Sequence, residues 1–172
     1  TLFRSMKKII AVVNQKGGVG KSAFTQHISS LLSLVGKTLV IDLDSEIENL
    51  KVAPSNIGLV GIEKEFYKNT KERELVLKRK IDPVKKDFDY IIIDSPPALG
   101  PITINTLSAS TSVLIPIQCE FFALEGLAQL LNTIKLVKQT INQSLQIRGF
   151  LPTMYSAQNN LSKQVFADLA QH

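Results

Sequence analysis

The sequence contains one cysteine, Cys119, in 172 residues. A lone thiol cannot close an intrachain disulfide, and a chain without one fits a reducing compartment. Charge is missing from one long stretch: Ser95 to Cys119 holds no Asp, Glu, Lys or Arg. That stretch is still the wrong composition for a spanning helix. Pro96, Pro97, Gly100, Pro101 and Pro116 interrupt it, together with many Ser, Thr and Asn residues. It reads as buried strand and loop. The N-terminal residues show no apolar core followed by a small-residue cleavage site, so no secretory signal is expected. No internal repeat and no low-complexity segment is visible.

What is present is ordinary for a globular chain: 44% hydrophobic and 20% charged residues. The length suffices for one domain with a substantial core. The formal net charge of +5 permits contact with nucleic acid or anionic lipid and establishes neither. Thr1 to Ser5 read as a scar ahead of Met6-Lys7-Lys8. At the other end, His172 interrupts a helical pattern with no cap. The expected unit is therefore one domain over residues 6–172, incomplete at its C-terminus.

The chain is organised around Asn14-Gln15-Lys16-Gly17-Gly18-Val19-Gly20-Lys21-Ser22. The apolar run Ile9-Ile10-Ala11-Val12-Val13 precedes it, and a helical stretch with apolar residues at 28, 31, 32 and 35 follows. Strand, glycine-rich turn and helix together make a phosphate-binding loop. Three glycines let the backbone curl so that successive N–H groups face one anion, and the helix adds its positive end. The expected nucleotide-binding set is Lys16, Gly17, Gly18, Val19, Gly20, Lys21, Ser22 and Ala23. Lys21 would reach the terminal phosphates and the Ser22 hydroxyl would sit on Mg²⁺. The usual pattern has glycine where this chain has Gln15, and Lys16 supplies a second cation. From the outer lip of the loop, Lys16 can reach across a two-fold axis to the nucleotide of a second subunit, tying hydrolysis to dimerisation.

Strands are expected at Lys7–Asn14, Thr38–Asp44, Lys51–Pro54, Asp89–Asp94, Ser112–Ile117 and Leu145–Leu151. Helices are expected over Gly20–Val35 (closed by Gly36), from Ser55 or Asn56 to about Tyr67, and over Glu74–Lys86 (disturbed by Pro83). Further helices are expected at Ile102–Ser110, Leu124–Asn142 and from Leu161 onward. In Leu124–Asn142, positions Leu124, Leu127, Leu131, Ile134 and Ile141 share a face. The alternation predicts an α/β fold: a doubly wound, mainly parallel sheet with helices on both faces. Ligands then sit at the carboxyl ends of the strands, where Asn14, Asp44, Asp94 and Gln118 fall. Asp94 suits a Walker B role, holding Mg²⁺ directly or through water beside Ser22. Asp42 and Asp44 lie two apart on one strand and face the same way. One of them would orient the attacking water and the other would position the metal or a loop.

Gln15-Lys16-Gly17-Gly18-Val19-Gly20-Lys21-Ser22 resembles the deviant Walker A motif of the ParA/MinD ATPases, and of their ParA (Soj) partitioning branch in particular. Val40-Ile41-Asp42-Leu43-Asp44, Pro54-Ser55-Asn56, Tyr90 to Gly100, Ile115 to Gly126 and Gly149 to Tyr155 carry the same resemblance, which covers nearly all of residues 7–171. It implies an ATP hydrolase acting in chromosome or plasmid partitioning with ATP and Mg²⁺. Lys16 would act across an ATP-bound homodimer, Lys21 as the loop lysine, and Ser22 as a metal ligand. Asp44 would position the hydrolytic water, and Asp94 would be the Walker B acid. The implied partners are a second copy of the chain, a ParB-like centromere-binding protein and nonspecific DNA. The implied place is the cytoplasm, on the nucleoid, and not the membrane.

Departures from the pattern accompany the match. After Asp44 the chain runs through Ser45 to Leu50 almost directly into Lys51 to Asn56, where family members carry a switch loop and several dozen further residues. Ala23 replaces a second hydroxyl residue, and the family's final basic helices lie beyond His172. Two other readings follow: a MinD-like membrane-cycling ATPase of division-site placement, or an inactive fragment lacking its switch loop. Nitrogenase iron-protein relatives need at least two cluster-ligating cysteines per subunit, which Cys119 alone excludes.

Overall fold

The structure is a computed structural model; it describes residues 8–43, 52–53, 73–120 and 123–169. Six strands form one sheet: β1 (Lys8–Val12), β2 (Thr38–Asp42), β3 (Val52–Ala53), β4 (Tyr90–Asp94), β5 (Ser112–Gln118) and β6 (Gln146–Thr153). Their order is β3-β2-β4-β1-β5-β6, and every neighbouring pair is parallel. The connecting helices are α1 (Lys21–Ser33), α2 (Val76–Ile81), α3 (Pro101–Ala109), α4 (Ala123–Thr140) and α5 (Asn160–Leu169). The expected doubly wound sheet is present, and the apolar β1 lies at its centre between β4 and β5.

Strand alternation divides the core. Ile9, Ile41, Ile91 and Ile93 pack with Ile81 of α2 and Ala109 of α3. Ala11, Val13, Val113, Ile115 and Ile117 pack with Leu107 of α3 and with Leu127, Leu130, Ile134 and Val137 of α4. The intervening residues Val12, Val40 and Ile92 are also fully buried and point to the opposite face. There α1 meets β2 and β4.

In α1 the buried positions are Lys21, Thr25 and Ser29, one turn apart, while Leu31 and Val35 are exposed. Small hydroxyl side chains let this helix sit close to the sheet, with the apolar Ile28 and Leu32 half-buried beside them. In α4 the buried stripe is Leu127, Leu130, Ile134 and Val137, with Leu131 packed against it, so the expected face holds at Leu127, Leu131 and Ile134. Ile141 lies beyond the helix and is exposed, and the side chain of Leu124 lies outside the described residues.

Gly36 closes the end of α1 as expected, donating its N–H to the Leu32 carbonyl at 3.0 Å, and does so without a positive φ. A Cβ there would stand 3.0 Å from Asp89 Cβ and 3.1 Å from Tyr90 Cε2, so glycine permits close approach of α1's exit to the start of β4. The expected 74–86 helix shortens to Val76–Ile81 between 3₁₀ turns at Arg73–Leu75 and Lys85–Asp87. Pro83, lacking an N–H, follows the C-cap Asp82. The helix expected from 55 or 56 to 67 lies outside the described residues.

Candidate functional site

β1 ends at Val12, and the chain turns through residues 13–20 into α1. Gly18 and Gly20 take φ values of +72° and +84°, where a side chain is strained. Gly17 is not in that region; it is exposed and faces Pro97, which a Cβ would meet at an ordinary 3.9 Å. So two of the three glycines set the curl, and the third lines its outer side. Gly20 occupies the N-cap of α1 with no side-chain capping hydrogen bond, and no acid stands in the first turn. The first N–H groups of a helix have no intrahelical acceptor. Here they face the turn with the positive end of the helix behind them, the arrangement that receives an anion. Lys21 is 5% exposed, and its Nζ donates to the Lys16 carbonyl at 3.3 Å. Ser22 is half-buried in the first turn and Ala23 is exposed beside it.

The two acids of the described edge stand side by side. Strand register pairs Asp42 with Asp94, and Asp94 with Val12, the last residue of β1 before the turn. Paired residues in parallel strands point to the same face, about 4.8 Å apart at the backbone. Both carboxylates are 0% exposed. Two buried carboxyl groups this close put oxygen donors together at one edge. The oxygen donors Ser22, Asp94 and Asp42 are hard ligands of the kind Mg²⁺ takes, usually alongside substrate phosphates. The donor set and the uncapped helix end therefore fit a magnesium-bound polyphosphate. Asp44 lies outside the described residues. The strand expected to carry it ends at Asp42, and the Leu43 N–H still bonds to β4, donating to the Asp94 carbonyl at 3.2 Å.

Sequence reasoning passed over the groups that hold the loop. Thr153, at the end of β6, donates its hydroxyl to the Val19 carbonyl at 2.9 Å, across 134 positions of chain. Asn14 Nδ2 donates to the Pro116 carbonyl at 2.5 Å, and Asn14 Oδ1 accepts from the Lys16 N–H at 2.9 Å. This explains a proline inside β5. β1 pairs with β5 only as far as Leu114, so the missing N–H of Pro116 falls where β1 has ended. The Asn14 side chain takes over the pairing there. Gln15 Nε2 donates to Gln129 Oε1 of α4 at 2.9 Å. The Lys16 ammonium stands 2.5 Å from Glu120 Oε2. The sequence signal was the placement of Asn14 and Gln118 just past strand ends; Glu120 and Thr153 fall inside segments that carry the family resemblance, with no role attached to them.

Known proteins share this architecture. The chain matches the family described as AAA domain over residues 7–48 and 44–147. It is 41% identical to the sporulation initiation inhibitor protein Soj of Bacillus subtilis, over 97% of this chain and 80% of Soj. It is 37% identical to the chromosome partitioning protein ParA of Myxococcus xanthus, over 97% of this chain and 72% of that protein. Among solved structures, cobyrinic acid a,c-diamide synthase of Mycobacterium smegmatis, with bound ATP analogue and magnesium, superposes with a TM-score of 0.88. It is 32% identical, over 97% of this chain and 80% of that one. The alignment with Soj spans 204 positions, more than the 172 residues of this chain. The family match also breaks into two pieces at residues 44–48, so relatives carry a segment that this chain lacks. Motif, topology, register and these likenesses agree: the chain belongs to the ParA/Soj family of chromosome-partitioning ATPases.

Proposed function

We propose that this chain binds Mg-ATP at the turn between β1 and α1 and hydrolyses it as a dimerising partitioning ATPase. The observation that carries the reading is the uncapped start of α1 behind two left-handed glycines, with Asp42 and Asp94 buried in register beside it. The first N–H groups of α1 and Lys21 bind the phosphates. Ser22 and Asp94, the latter directly or through water, hold Mg²⁺, and Asp42 stands next to them. The metal's chemistry is to neutralise charge on the transferring phosphoryl group; the protein's is to position and to exclude water. Lys16, at the exposed lip, acts on the nucleotide of the second subunit. Asp44, by its sequence position, orients the attacking water.

The partitioning names of the relatives favour this role over membrane cycling. Among the described residues no helix is long and apolar enough to cross a membrane. A cytoplasmic, nucleoid-bound cycle with nonspecific DNA and a ParB-like stimulator completes the proposal. A salt-sensitive DNA shift that appears only with ATP supports it; ATP-dependent liposome binding without DNA binding refutes it.

The missing segment after Asp44 favours a second reading, a chain that binds ATP without turning it over. Phosphate release measured beside ATP binding separates the two. Binding with release at the level of Lys21→Ala supports the second reading, and release abolished by Lys21→Ala supports the first.

A further inference from the structure

We infer that Glu120 is a positioning residue for Lys16, a cis acid that holds the lip lysine away from nucleotide until a second subunit competes for it. The inference rests on the cross-subunit role proposed above.

The contact is built from several directions. Lys16 Nζ lies 2.5 Å from Glu120 Oε2, and the Gln118 amide donates to Glu120 Oε1. Both oxygens of one carboxylate are thus engaged by the chain, which fixes its orientation. The lip is held separately: the Asn14 and Gln15 side chains donate to the Pro116 carbonyl and to Gln129 Oε1, and the Lys16 N–H donates to Asn14 Oδ1. The two lysines of the loop therefore point opposite ways. The Lys21 ammonium turns inward to the Lys16 carbonyl, and the Lys16 ammonium turns outward to the segment after β5.

An ammonium neutralised by a carboxylate at 2.5 Å is not free to neutralise a phosphate. The pair is nevertheless weak, because its side chains are 41% and 50% exposed. Water screens such pairs, and they contribute little to stability. That combination suits an exchangeable contact rather than a structural one. A triphosphate arriving on a second copy carries more negative charge than Glu120 and can displace it. Each subunit contributes one such exchange, so the effect on the dimer counts twice.

The test compares ATP-dependent dimerisation of the full chain, wild type against Glu120→Gln, by analytical ultracentrifugation over a range of salt. Glu120→Ala serves as a second variant, and Lys16→Ala as the control. Both Glu120 variants are expected to tighten the ATP dimer roughly two- to tenfold, with no dimer in ADP. Their dimerisation should also weaken more steeply with salt than wild type. In wild type, salt loosens the cis pair while it loosens the lysine–phosphate contact; the variants keep only the second effect. Lys16→Ala combined with Glu120→Gln should behave as Lys16→Ala alone. Unchanged or weaker dimers in both Glu120 variants, with Lys16→Ala monomeric, overturn the role of Glu120 and leave the cross-subunit reading standing. Dimers that survive Lys16→Ala overturn both.

Discussion

Gly17, Gly18 and Gly20 look alike in sequence, but only the latter two have positive φ, +72° and +84°. Alanine at all three gives a prediction that separates strain from packing. Each substitution removes the same freedom from the unfolded chain, a gain of about 0.4–1 kcal/mol. At Gly17 the new Cβ meets Pro97 at 3.9 Å and strains nothing. Gly17→Ala should therefore be neutral or slightly stabilising. At Gly18 a Cβ meets nothing within 4 Å, and at Gly20 only Thr153 Cγ2 at 3.8 Å. Neither clashes, so the cost there is conformational, about 1–2 kcal/mol for an L-residue in the left-handed region. The unfolded-state gain cancels in the comparison. Gly18→Ala and Gly20→Ala should fall about 1–2 kcal/mol below Gly17→Ala in nucleotide-free urea unfolding, with unchanged m-values. Mg-ATP at one hundred times its dissociation constant should stabilise wild type by about 2.7 kcal/mol. Gly20→Ala should lose most of that, because its strain moves the first N–H groups of α1. Equal stabilities for Gly17→Ala and Gly20→Ala would refute the assignment of the curl to φ.

Asp94→Asn should retain ATP binding in chelator and lose the increase in affinity that Mg²⁺ confers, read with a fluorescent ATP analogue; a preserved magnesium effect removes Asp94 from the metal site. Leu130, 1% exposed on the inner face of α4, should cost about 2–5 kcal/mol as Leu130→Ala by urea unfolding. Ile141→Ala, at an exposed position, should cost far less. Lys85, and then Lys78, hold the Asp82 carboxyl below its ordinary range. A depressed folded pKa stabilises above the unfolded value near 3.9, and the gain disappears as pH falls through the folded value. With Asp82 41% exposed, Asp82→Asn should cost less than about 1 kcal/mol at pH 7, and that cost should shrink as pH falls below the ordinary carboxylate range and through the folded value. Burial pushes the Cys119 thiol up, so it should resist alkylation at neutral pH until the chain unfolds.

The sheet was legible because it is made of continuous apolar runs. Ile9 to Val13 and Tyr90 to Ile93 are buried on both faces and announce parallel strands. The loop was legible because glycines, lysine and hydroxyl follow one another in the chain. What escaped was whatever depends on strand register. Asp42 and Asp44 could not be told apart by role from their spacing, yet the ladder sets Asp42 directly beside Asp94. Thr25 and Ser29 escaped because an inner helix face made of hydroxyls leaves no hydrophobic signal. Glu120 and Thr153 escaped for another reason: contacts over more than one hundred positions have no local pattern.

The central claim is that the turn from β1 to α1 holds Mg-ATP through Lys21 and the first N–H groups of the helix. Titration calorimetry of the nucleotide-free chain with Mg-ATP tests it most directly. Wild type should bind with heat that depends on Mg²⁺. Lys21→Ala, which removes one charge-assisted contact, should weaken binding roughly 10- to 100-fold. Equal affinity in wild type and Lys21→Ala, or no binding by wild type at millimolar Mg-ATP, would contradict the account.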